Sequence, residues 1–281
     1  FFLFLKFFKG FVIISFIGNC KFFSQDAEFN QFYSNPLYLN PAFTGSNNCP
    51  RLSANHRVQW SEIPNTFNTS SFSFDQQFKN NKGGLGLIIL SDALSNALQN
   101  NRFSGIYSYE LKISKKIYLR TGLEACFWQN KLDYSKLTFI DMIDPIRGFV
   151  NQSANYRANN LQNGIDLSTG IVAYNKKLFF GISTHHLTEP RQLFNSINSK
   201  LNRKYTLNFG ANIPFSNIRE LYNNNLIFSP NIIWKKQGEN QQLNLGLYFE
   251  KGPYVLGLWY RDNNNYTIIL GTNIGLNKNW L

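Results

Sequence analysis

Three cysteines, three histidines and a single methionine are all the sulfur and imidazole that 281 residues offer. Cys49 and Cys126 lack the close spacing of metal-ligand or redox motifs. They read as two unpaired thiols, although an oxidising compartment would permit a bridge. Cys20 stands where a lipoprotein cysteine would, but Asn19 before it suits lipoprotein processing poorly. His185 and His186 are neighbours, and on a strand neighbours point to opposite faces, so a shared metal is not expected. His56 has no carboxylate partner close in sequence. Gly-x-Ser-x-Gly elbows, phosphate loops and zinc-type His-Glu spacings are all missing. Ser183 lies two residues from His185, which gives the two a common face and nothing more. The expectation is a protein without catalytic, metal-binding or cofactor-binding residues, and not an enzyme.

Charge is also sparse, at 16% of residues, with 28 basic against 16 acidic side chains and a net charge of +12. The basic residues are scattered through turn regions rather than gathered in a stripe, which argues against nucleic acid. After the first residues no run of about 18 apolar side chains occurs, so a helical membrane protein is not expected.

The opening residues have the pattern of an export signal. Lys6 and Lys9 precede the apolar run from Phe11 to Ile17, and small or polar residues follow to Ser24. Cleavage before Gln25 would remove three lysines and no acid, lowering the net charge from +12 to +9. The sequence opens on Phe1 rather than Met, so a missing start is expected.

What the chain has in quantity is aromatic and alternating. It carries 27 Phe, 14 Tyr and 5 Trp. From Arg51 onward, segments of about 10 residues alternate apolar and polar side chains, the dyad of a membrane-spanning strand. They fall near 50–60, 66–78, 84–91, 102–113, 117–129, 164–174, 177–187, 203–214, 225–236, 240–250, 253–262 and 266–276. Leu243, Leu245 and Leu247 mark one face of one segment, and Leu256 and Leu258, with Tyr254 and Tyr260 at the ends, mark the next. Soluble β-sandwiches and propellers also alternate, but their strands average about five to six residues. The predicted fold is all-β, a transmembrane antiparallel β-barrel at 50–281. Short connections alternate with long ones, Ser91–Asn101, Asn130–Asn163 and Thr188–Asn202 among the latter, and short turns belong on the periplasmic side of such barrels. Arg120 and Glu124 share a lumen-facing side and are expected to join a polar network across the barrel, or to line a pore.

Before the first strand, residues 25–49 form a strap organised on two Asn-Pro pairs, Asn35-Pro36 and Asn40-Pro41. Each proline removes a donor and pushes the preceding Asn from the α region, so the reading is an extended, kinked segment on the periplasmic side. Lysines cluster in the predicted periplasmic turns, notably Lys115, Lys116, Lys176 and Lys177. Either they flank the membrane interface and snorkel, or they form a positive rim that docks an acidic partner. In the second case Tyr33, Tyr38 and Phe43 of the strap would supply an apolar anchor.

Four landmarks carry a family resemblance: Asn35-Pro-Leu-Tyr-Leu-Asn-Pro-Ala-Phe-Thr-Gly45, Arg57-Val-Gln-Trp60, Ile143-Asp-Pro-Ile-Arg-Gly-Phe149 and Gly181-Ile-Ser-Thr-His-His-Leu-Thr-Glu-Pro190. In this order they resemble the PorP/SprF family, membrane proteins of the type IX secretion system, over roughly residues 25–276. The resemblance implies a barrel of about fourteen strands in the outer membrane of a Gram-negative bacterium. It implies work with the periplasmic lipoprotein-containing ring of that system, and export and surface attachment of secreted cargo such as gliding adhesins. A general porin-like solute channel is the alternative on the same fold. Family members have a closing pair of strands after the equivalent of Leu276, so twelve strands of fourteen are expected here. The family brings no established catalytic residues.

Overall fold

The computed structural model describes residues 26, 28, 29, 34–47, 49–60, 62, 66–78, 83–94, 97–137, 142–144, 146, 148, 149, 160–191, 200–215, 226–262 and 265–272. The expected export signal, Tyr33, the Lys79–Lys82 turn, the connection carrying Arg219 and Glu220, and the final residues lie outside them. One antiparallel sheet dominates. Its first five strands are β1 (Arg51–Gln59), β2 (Phe67–Gln77), β3 (Gly83–Leu94), β4 (Leu98–Lys112) and β5 (Tyr118–Leu132). A two-stranded ribbon follows within the long connection, β6 (Ile143–Asp144) with β7 (Gly148–Phe149). The sheet resumes with β8 (Asn160–Tyr174), β9 (Leu178–His185) and β10 (Lys204–Ala211). It then runs through β12 (Leu226–Gln237), β13 (Asn240–Lys251), β14 (Tyr254–Arg261) and β15 (Asn265–Thr272), with the short β11 (Ile213–Phe215) off this path and paired to β12. All twelve predicted segments are strands, and each pairs with its sequence neighbours in the sheet. Among the described residues β1 and β15 are the two ends of the strand order and do not pair with each other.

One expected long connection proves short. β3 and β4 extend past Ser91 and Asn101, and Leu94 pairs with Leu98. Ladder hydrogen bonds are made by the backbone, so polar side chains such as Asp92 and Asn100 continue a strand beyond its apolar band.

The side chains are arranged inside out. Leu85, Leu87 and Ile89 of β3, Leu243, Leu245 and Leu247 of β13, and Leu256 and Leu258 of β14 all stand exposed on the outer face. The inner face of the same sheet carries Thr69, Ser71, Ser73 and Asp75 from β2, Ser104 and Ser108 from β4, and Asn244 from β13, all buried. In a water-soluble sandwich the leucines would be covered and the serines wet. This barrel-like sheet does the reverse, as strands that meet hydrocarbon must. No described helix is long and apolar enough to cross a membrane.

Candidate functional site

The inner face is covered by the strap. One local rule shapes that segment. Proline is tolerated at the first position of a helical turn, where its missing N–H has no partner anyway. Pro36 accordingly starts a four-residue helix, α1 (Pro36–Leu39), and Pro41 starts a 3-10 turn (Pro41–Phe43). The extended strap expected from the Asn-Pro pairs is therefore coiled in two short pieces. Asn40 joins them: its N–H donates to Pro36 O, and its side-chain oxygen accepts from Ala42 N at 2.9 Å.

The strap runs inside the barrel. Its first described carboxylate, Asp26, lies toward the long-loop end and accepts from Arg102 (3.0 Å) and Lys204 (2.7 Å). The His186 ring sits between Asp26 (2.7 Å) and Asp166 (2.5 Å). Glu28 faces Lys235 at 3.3 Å and Arg261 at 3.9 Å. Farther along, Asn35 donates to Ser71 Oγ at 2.9 Å, and Leu37 is wedged, fully buried, against Ile88 and Ile106. The Leu39 carbonyl accepts from Ser183 Oγ at 2.9 Å and lies 3.4 Å from His185 Nε2. At the short-turn end, Thr44 O accepts from Ser108 Oγ (2.7 Å) and Arg120 Nη1 (3.0 Å), while Gly45 N donates to Asp75 at 2.7 Å. Arg51 ties Asp75 to Phe43 O.

Two glycines let the strap lie this close. A Cβ on Gly122 of β5 would overlap the Pro41–Ala42 backbone, and one on Gly170 of β8 would overlap the Asn40 side chain. Both sit on the inward face, where their missing side chains form the seat.

Charge is balanced within this packing. Burial alone would raise the Asp26 carboxyl, but His186, Lys204 and Arg102 outweigh it and hold the group well below the ordinary carboxylate range. Burial likewise opposes ionisation of Glu28, and Lys235 and Arg261 bring it below its usual value. Burial pushes the Tyr38 hydroxyl up to about 12. For His186 burial disfavours the imidazolium, but Asp26 and Asp166 raise its pKa overall.

The residues expected to bind a partner part company. Tyr38 is turned into the lumen, its ring 5.7 Å edge-on from Phe29 and 4.6 Å from Lys204 Nζ. Phe43 is half-buried near the short-turn end and packs edge-on against Phe179, 5.9 Å between centroids. Lys115 and Lys116 lie exposed in the β4–β5 turn, and Lys176 and Lys177 in the β8–β9 turn. The strap, expected on the periplasmic side of the barrel, thus occupies the lumen over its described length.

Other residues settle into structural places. His185 and His186 do not point apart: β9 ends at His185, His186 takes a left-handed backbone (φ 60°), and both rings are buried. Arg120 pairs with Glu110 and Glu124 approaches His185 at 3.7 Å, so their network runs through other partners than each other. His56 meets Ser70 Oγ at 2.9 Å on the exposed side. Cys49 is exposed and Cys126 buried, both as free thiols. The Asp26, Arg102, His186 and Lys204 cluster escaped the sequence reading. The only signal was charge at the inward strand positions Arg102 on β4 and Lys204 on β10, where serine would serve.

An antiparallel sheet with an apolar exterior, a polar interior and its own N-terminal segment threaded through the middle defines a plugged β-barrel of the membrane-spanning class. The family model for the type IX secretion system membrane protein PorP/SprF matches residues 21–280, and the chain belongs to that family. Searches of curated proteins and of solved structures gave no match.

Proposed function

We propose that this protein is a non-enzymatic outer-membrane component of the type IX secretion machinery that supports export and surface attachment of secreted proteins, gliding adhesins among them. Membership of the family makes it a membrane component of that system. The observation that carries the finer reading is the strap's occupation of the lumen. A porin keeps a water channel, whereas here the strap crosses the interior on contacts from Asp26 to Gly45. A barrel occupied this way serves better as a fixed platform for other proteins than as a route for solutes.

The platform's partner-facing side is the short-turn end, periplasmic in this reading. Its exposed lysines Lys115, Lys116, Lys176 and Lys177 would meet an acidic surface of the periplasmic lipoprotein-containing ring, with Phe43 the strap residue nearest that rim. A docking role for Tyr38 would require the strap to leave the lumen, and Tyr33 belongs to the same expectation. The experiment is co-purification from the native envelope. Changing all four lysines to Glu should leave the barrel heat-modifiable on gels but reduce recovery of the ring, most strongly at low salt where charges are least screened. Wild-type recovery of the ring at low salt would reduce these lysines to interfacial anchors.

A further inference from the structure

The wall of the barrel has a seam. Among the described residues β1 and β15 end the strand order and share no ladder. The outer face is barest at this edge. Ile268 and Leu270 of β15 are 70% and 81% exposed, against 39% and 41% for Leu256 and Leu258 one strand in. Backbone groups left unpaired in hydrocarbon are costly, so a seam stays shut only if other contacts hold it.

The strap makes such contacts from inside. On one side it grips β1 at inward positions. Arg51 donates to Phe43 O at 3.2 Å, Ser34 and Asn55 exchange two hydrogen bonds at 2.6 and 3.4 Å, and the Arg57 guanidinium donates to Glu28 O. On the other side the Glu28 carboxylate lies 3.3 Å from Lys235 Nζ of β12 and 3.9 Å from Arg261 Nη1 of β14. The Gln242 carboxamide of β13 joins them, donating to Glu28 at 2.9 Å and accepting from Arg261 Nε at 3.0 Å. One strap residue thus holds β1 through its carbonyl and β12, β13 and β14 through its carboxylate. Farther along, Leu39 packs against the cluster of Ile233, Tyr248 and Trp259. Toward the short-turn end a cavity of about 550 Å³ lies between the strap and this wall, so the grip is concentrated on Glu28.

We infer that the strap is the clasp of the barrel wall: Glu28 holds β1 to β12–β14 across the seam, and its release lets the wall part sideways toward the membrane. Charge makes Glu28 the controlling member. Arg57 on one side of the seam and Arg261 on the other repel each other, and Arg261 also repels Lys235. Glu28 is the anion that all three attract. Its loss therefore does more than delete a contact, because it leaves partly buried like charges facing one another across the gap. The other strand pairs are joined by backbone ladders and have no such dependence on one side chain.

The test measures distances between spin labels by double electron–electron resonance, on the full chain in detergent micelles with Cys49→Ser and Cys126→Ser. One label pair, Val58→Cys with Leu258→Cys, spans the seam. A reference pair, Leu87→Cys with Leu167→Cys, spans β3 to β8, which ladders join. Glu28→Gln should broaden the seam distance and add a longer population that the wild type lacks, with the reference pair unchanged. Gly122→Leu, which displaces the strap without altering Glu28 or either edge, should do the same. Two results would overturn the inference. One is a seam distance unchanged in either variant. The other is equal broadening of the reference pair, which would make Glu28 one stabilising ion pair among others. Should Glu28→Gln fail to fold by gel heat-modifiability, Arg57→Met, which breaks the β1 side of the clasp alone, takes its place with the same expected outcome.

Discussion

Single residues decide whether the strap stays in its seat. Gly122 is the clearest, because the space for its Cβ is already taken by the Pro41–Ala42 backbone. Gly122→Leu should leave β5 in the sheet but unseat the strap, and limited proteolysis should then cut within residues 34–47 where the wild type resists. Asp26 is the second. Asp26→Asn removes the carboxylate that Arg102 and Lys204 share and leaves two buried cations short of a partner. Breaking a buried pair of this kind costs about 3–5 kcal/mol, so the variant's strap should open to protease at much lower denaturant.

The same site makes the seated strap sensitive to pH in both directions. The lowered Asp26 pKa stabilises the seated strap at pH above the ordinary carboxylate value of about 3.9, and this is lost as pH falls through the lowered value. The raised His186 pKa contributes fully below about 6.5 and is lost as pH rises through the raised value. The groups facing His186 are Asp26 and Asp166, with Lys204 and Arg102 on the far side of Asp26. Strap protection measured by hydrogen exchange should therefore be greatest between about pH 4 and 6.5. His186→Gln should remove the alkaline decline and leave the acid one.

At the scale of the strand, the outward rows set the energetics. Leu245 is exposed on β13 midway between Asn240 and Lys251, flanked by Leu243 and Leu247. Leu245→Arg should cost about 2–4 kcal/mol if the strand is centred in the bilayer, measurable as a lowered urea midpoint for folding into lipid vesicles. An equal cost for a polar residue on a soluble β-sheet surface would not be expected.

These rows were legible in the sequence because each strand writes its two faces in alternate letters. Leu243, Leu245 and Leu247 against Asn244 and Gly246 need no knowledge of a neighbour to be read. The strap was legible only in part. Its two prolines marked it as neither helix nor sheet, yet Pro36 and Pro41 each begin a short helical turn, a position where the missing donor costs nothing. Its place in the lumen depends on contacts from Ser71 on β2 to Lys204 on β10, which no local pattern encodes. Gly122 and Gly170 look like ordinary strand glycines until β5 and β8 are set side by side with Gly122 opposite Gly170. His186 failed the alternation rule for a similar reason: its strand ends one residue earlier.

For the whole molecule, the interior is the distinguishing property. Planar-bilayer recordings of the wild-type protein should show small or no conductance steps, and Gly122→Leu, with its strap unseated, should show larger ones. Large steady conductance in the wild type would favour the solute-channel reading over the platform proposed here. A cavity of about 550 Å³ beside the strap adds that the interior, though occupied, is not full.

Asp26 and Lys204 are separated by 178 positions along the chain, and Thr44 and Arg120 by 76. The residues that leave the ribosome early thus have seats that exist only when much later strands are in place. Contacts of such long range are slow to form, because the loop between them must close first. The strap is therefore fully gripped only once β8, β9 and β10 stand beside β2–β5, whatever the order in which the strands are laid down.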